Sequence, residues 1–134
     1  MHLFKKLKDG GKDSNSTAYF LIESKGFFSI LLLRVEGASR PVYHTHAFKQ
    51  ISWLLSGCLF ERFIIGKSKA HWPRWRPIRT PRDVFHAVSS PSGVSWILSF
   101  RGPWKKDWME YSPETDRFTG LTRGRQVTFE TKGV

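Results

Sequence analysis

No stretch of this chain keeps apolar residues at a helical spacing for more than a turn or two. Short runs with apolar or aromatic residues at alternate positions recur instead, from "AYFLIE" (18–23) and "GFFSILLLRVE" (26–36) to "QVTFE" (126–130). Between them lie "GCLFERFII" (57–65), "VFHAV" (84–88) and "SWILSF" (95–100), separated by turn signals such as "GKSK" and "SSPSG". Alternate side chains of an extended chain face opposite ways, so "LFERF" puts Glu61 and Phe63 on one face and Phe60 and Arg62 on the other. Seven or more short strands, with no internal repeat and no low-complexity tract, predict an all-β sandwich or small barrel.

At 134 residues the chain is long enough for one core but not two. A hydrophobic fraction of 40% and an aromatic fraction of 15% exclude a disordered composition. The opening "MHLFKKLKDGGKDSNS" is polar, basic and rich in Gly and Ser; it reads as a flexible basic tail over residues 1–17 ahead of a domain over 18–134. Its basic start has no apolar run behind it, so no secretory leader is expected. The longest apolar stretch, "FFSILLL" (27–33), is too short to span a bilayer, and a single cysteine, Cys58, excludes an internal disulfide and fits a reducing compartment. The expectation is a soluble cytoplasmic protein with no membrane partner. With 22 Lys and Arg against 11 Asp and Glu, the formal charge of +11 attracts polyanions without reading them, and it also raises solubility.

The segment "PVYHTHAFKQISWLLSG" (41–57) carries His44 and His46 two apart, where an extended chain points both rings the same way. A sheet presents two ligands to one metal ion in this manner, and it also places two polar groups on a solvated face in this manner. The order His-x-His, three residues, Gln50, six residues, Gly57 resembles the first motif of the cupin superfamily, with Gln50 where that motif carries Glu. "PRDVFH" (81–86) resembles the second motif, with Asp83 in place of a glycine, and makes His86 the expected third imidazole, on a later strand across the barrel. From "HTHAFKQISWLLSGCLFE" through "VFHAV" to "SWILSFRGPWKKDWMEY", the chain also resembles small cupin-like proteins of bacterial and bacteriophage genomes. Trp96, Gly102, Pro103, Lys105, Lys106 and Trp108 match that pattern, while Thr45, Ala47 and Phe48 depart from it.

The resemblance implies a single-domain double-stranded β-helix, or jelly roll. It implies a divalent transition metal (Fe, Zn, Ni or Mn) on His44, His46 and His86, with Gln50 as a fourth ligand or an orienting group. Neutral imidazoles suit such metals and leave coordination positions open. The function expected is a small metal-binding protein, oxygenase- or isomerase-like, acting on a small molecule in the barrel. The alternative is a non-catalytic scaffold that contacts a protein or nucleic acid through its basic surface. A homodimer is the assembly that the resemblance implies.

Basic and aromatic residues interleave in "KSKAHWPRWRPIRTPR" (67–82). Arg74, Arg76 and Arg79 beside Trp75 fit a single-strand nucleic-acid contact, or else a solvated loop whose tryptophans cap the barrel. His71 reads as a surface histidine or an auxiliary ligand. Arg101 and Lys105 are further candidates for an anionic ligand, although "RGP" there also reads as a turn. Cys58 is either cavity-facing or a small buried hydrophobe, and Glu61 either reaches the site or pairs with an arginine.

Overall fold

The computed structural model describes residues 2–9, 14–38, 42–105, 107–122 and 126–132. Pro41 and Lys106, used above, lie outside the described residues, as do residues 1 and 10–13 of the expected tail. The described chain is built of strands: β1 His2–Lys8, β2 Ser16–Glu23, β3 Ser29–Glu36, β4 Tyr43–His44, β5 Gln50–Ser56, β6 Leu59–Phe63, β7 Lys69–His71, β8 Ile78–Thr80, β9 His86–Ser89, β10 Val94–Arg101, β11 Trp108–Ser112, β12 Arg117–Thr122 and β13 Gln126–Lys132. They form two antiparallel sheets, ordered β1-β2-β3-β10-β5-β8 and β13-β12-β11-β4-β9-β6-β7. Strands distant in sequence lie side by side in both, as a jelly roll requires. Among the described residues no helix is long and apolar enough to cross a membrane.

Alternation decides what faces inward. On β3 the buried positions are Ser29, Leu31, Leu33 and Val35; on β10 they are Ser95, Ile97, Ser99 and Arg101; on β5 they are Gln50, Ser52 and Leu54. Register stacks these sets into rows: Ile97 opposite Leu54, Ser99 opposite Ser52, and Arg101 opposite Gln50, which in turn faces Thr80. The inner face of the first sheet is therefore apolar at one end, where Leu33, Val35, Leu54 and Ile97 join Ala18, Phe20, Leu31 and Leu59 in the core. At the other end it is polar, and Ser52 and Ser99 satisfy each other there at 2.9 Å. That polar end is where a site can be built, because its buried groups need partners.

Gly57, which closes the first motif, has a φ of +84°, and a Cβ there would lie 2.5 Å from the Val94 carbonyl oxygen. The β5–β6 turn packs against the start of β10 at a distance only glycine permits.

The expected tail is corrected by the structure. His2–Lys8 forms β1, the edge strand of the first sheet, and pairs along β2 from His2 opposite Glu23 to Lys8 opposite Thr17. Leu7 packs against the core, and the Lys5 ammonium reaches the buried Glu23 carboxylate at 2.9 Å. Lysine at three of the seven strand positions hides this β1 pattern in the sequence. Lys5 reaches the Glu23 carboxylate, and the Lys6 ammonium lies 5.4 Å over the Tyr19 ring of the neighbouring strand.

Candidate metal centre

The three histidines converge. His44 and His86 are cross-strand partners on the neighbouring strands β4 and β9, so His86 stands beside His44 and not across the barrel. His46 follows β4 by two residues, and its backbone N–H donates to the Arg82 carbonyl at 3.1 Å. The Nε2 of His46 lies 3.2 Å from that of His44 and 3.0 Å from that of His86. One nitrogen from each ring falls within 4.8 Å of the others. Phe48 stacks on the His46 ring at 5.0 Å and closes one side of the cluster.

Glu61 sets the chemistry of these nitrogens. Its side chain points inward from β6 and accepts from His86 Nδ1 at 2.6 Å and from His71 Nε2 at 3.0 Å. Burial alone would raise the Glu61 carboxyl, but the hydrogen bonds and charges of His86, then of His71, together bring it below its ordinary value of 4.5. An ionised carboxylate only accepts, so both histidines must donate to it. In its neutral form, with the proton held on Nδ1, His86 turns the Nε2 lone pair toward the other two rings. A carboxylate holding the far nitrogen of an imidazole in this way is the usual outer support of a metal-bound histidine. His71 is thus buried, only 5% exposed, and is corrected from the surface position expected for it. The alternation in "LFERF" sets Glu61 and Phe63 on one face without saying which face is inward, and no sequence signal pairs Glu61 with the two histidines.

His46 is held well below its ordinary value of 6.5, first by burial, then by the neighbouring imidazoles of His86 and His44, and last by the Arg101 guanidinium. A neutral ring is what a metal ligand requires. In protein stripped of metal the consequence is a pH-dependent stability. Below about pH 6.5 the unfolded chain takes up a proton that folded His46 resists, so stability is present above this range and lost as pH falls into it. Denaturant melts from about pH 7.5 to about pH 5.5 should lose up to about 1.4 kcal/mol per pH unit for this one group. His46→Gln should flatten the fall; a parent profile already flat in this window would overturn the assignment.

Gln50 lies in the same interior, but its carbonyl oxygen accepts from Arg101 Nε at 2.9 Å. The oxygen that a ligand role needs is therefore already engaged, which favours orientation over coordination. Arg101 is 2% exposed. Its Nη1 and Nη2 clamp the two oxygens of Asp9 at 3.1 and 2.6 Å, and its guanidinium lies 4.3 Å over the Phe48 ring. This arginine is not a free contact for an external anion. Lys105 is exposed, and its backbone N–H donates to the Ala47 carbonyl. Arg74, Arg76 and Arg79 are gathered elsewhere, with Trp75 95% exposed and Trp72 61% exposed; these tryptophans do not cap the barrel. Cys58 is half-buried and uninvolved, with its backbone N–H on Ser92 Oγ.

A cavity of about 400 Å³ opens in front of the histidines, walled by Phe48, Trp104 and Trp108 together with Glu110 and Lys25. Glu110 stands directly opposite His44 across the β4–β11 pair. Flat aromatic walls with a few convergent polar groups are the make-up of a small-molecule site.

No protein-family model matches this chain, and no curated protein sequence matches it. Solved structures do resemble it. A sugar phosphate isomerase of the cupin superfamily from Silicibacter pomeroyi has a TM-score of 0.59 at 15% identity, over 88% of this chain and 76% of that one. An RmlC-like cupin from Shewanella frigidimarina has a TM-score of 0.57 at 14% identity, over 76% of this chain and 86% of that one. HppE in its Fe(II) form has a TM-score of 0.56 at 16% identity; the match takes in 72% of this chain but only 55% of HppE. Two antiparallel sheets in jelly-roll order agree with these neighbours: the chain has the cupin fold.

Proposed function

We propose that this chain is a metal-binding cupin that holds a divalent transition metal on His44, His46 and His86 and acts on a small molecule in the cavity before it. The observation that carries the reading is the convergence of three imidazole nitrogens, one of them oriented by the Glu61 carboxylate. Three neutral nitrogen donors suit iron, zinc or nickel and add no negative charge, so a bound ion would keep its full charge for polarising a ligand. The chain's own contribution would be threefold. Glu61 holds the proton of His86 on Nδ1, the aromatic walls exclude water, and Glu110 at the cavity wall offers a carboxylate for moving a proton. Solved neighbours with the same fold include an isomerase and an iron(II) protein, which supports this class without choosing the reaction.

The test is elemental analysis of protein purified without chelator or His-tag, before and after reconstitution with Fe(II), Zn(II) and Ni(II). One of these metals should reach about one equivalent per chain. Less than about a tenth of an equivalent of every metal would overturn the reading.

A further inference from the structure

Behind the histidine cluster, on the far side of Glu61, lies a second concavity of about 680 Å³ lined by Lys69, Arg74, Arg76 and Arg79. The single carboxylate in its lining is Glu61, already taken by His86 and His71. Among the described residues none of the four cations has an ion pair; the Lys69 ammonium lies 5.7 Å over the Phe63 ring, and the mutual repulsion of the four is offset by no carboxylate of their own. Arg79 lies on β8, and the loop between β7 and β8 that carries Arg74 and Arg76 also carries Trp72 and Trp75, the latter 95% exposed. It is braced, because Trp53 Nε1 donates to the Trp75 carbonyl at 3.0 Å and Pro73 and Pro77 fix φ on either side. A rigid loop thus presents indole faces to solvent beside a groove of cations that have no ion pair among the described residues.

We propose that this groove binds single-stranded nucleic acid, with Arg74, Arg76, Arg79 and Lys69 on phosphates and Trp75 stacking on a base. A single strand offers phosphates and unshielded base faces together, and so satisfies both features. A duplex hides its base faces, and a simple polyanion has none. The groove meets the support of the histidine cluster only at Glu61 and His71, and the contacts proposed for the nucleic acid use neither.

The test uses the full chain and a labelled oligothymidylate of about 15 nucleotides, followed by anisotropy across a salt series. Four phosphate contacts predict a log–log slope on the order of −3, and the combined Arg74→Ala, Arg76→Ala, Arg79→Ala variant should flatten it by about 2. Trp75→Ala should weaken binding roughly 5- to 100-fold at an unchanged slope, and a duplex of equal length should be insensitive to it. Unchanged metal content and melting temperature in both variants keep the readout on the groove. Two results overturn the proposal: no detectable binding at about 0.15 M salt, or binding matched by heparin and indifferent to Trp75→Ala.

Discussion

Replacing His86 by alanine is expected to lower affinity for a divalent transition metal by roughly 100- to 1000-fold. Structural zinc sites with four protein ligands bind with about 10–16 kcal/mol, so each ligand supplies on the order of 2.5–4 kcal/mol. At about 1.4 kcal/mol per factor of ten, one lost ligand gives that range. Because His86 also holds Glu61, its loss disturbs a buried pair as well as the site. His44→Ala leaves the His86–Glu61 bond in place and isolates the ligand effect. The order of effects is more telling than any one of them. The three histidine variants should lie at the bottom, and Glu61→Gln above them at about 10- to 100-fold. Gln50→Ala should cost less than about tenfold, since its oxygen is held by Arg101. Competition against a chromophoric chelator reads this series. If His44→Ala and His86→Ala bind metal as the parent does, the cluster is a polar remnant of the fold; if Gln50→Ala falls with the histidines, the amide is a true fourth ligand.

What the sequence disclosed about this site follows from which signals are local. His44 and His46 are legible because their spacing of two puts both rings on one side of an extended segment, whatever the strand pairs with. His86 is legible only through its motif, since nothing local says that β9 lies beside β4. Glu61 was half-legible: alternation in β6 puts it on one face with Leu59, but that this face is inward, and which partners it meets, come from pairing. His71 sits on a strand of three residues, Lys-Ala-His, with no β-forming signal, and it faces Leu59 only because β7 folds back along β6. Arg101 shows the opposite failure. Read as a contact for an anionic ligand or as part of a turn, it instead continues the inward row Ser95, Ile97, Ser99 of β10. The carboxylate that allows an arginine inside is 92 residues away, at Asp9, in a segment whose lysines disguise a strand as a tail.

That pairing makes the N-terminal segment a part of the barrel with a measurable stake. Deleting residues 1–9 is expected to cost at least about 3–5 kcal/mol, which for a domain of marginal stability leaves it largely unfolded. Three losses combine: the β1–β2 ladder, the packing of Leu7 on the core, and the carboxylate that clamps a 2% exposed guanidinium. The third can be isolated. Asp9→Asn keeps the strand and its size but removes the compensating charge, stranding Arg101 against Gln50 and the Phe48 ring. Asp9 itself retains 28% of its side-chain exposure, so water relieves part of the penalty and the cost belongs near the lower end, about 2–3 kcal/mol. Arg101→Met removes the charge and keeps most of the volume, and the Asp9 carboxylate it leaves behind can still reach water. It should therefore be milder, about 1–2 kcal/mol. Combining it with Asp9→Asn should cost less than the two changes added, because the second then has no stranded charge to create. Urea melts of the parent and the four variants measure this directly. A deletion that leaves the midpoint unmoved would return residues 1–9 to the role of a tail, and strict additivity in the double variant would mean that Arg101 is not held in the barrel by Asp9.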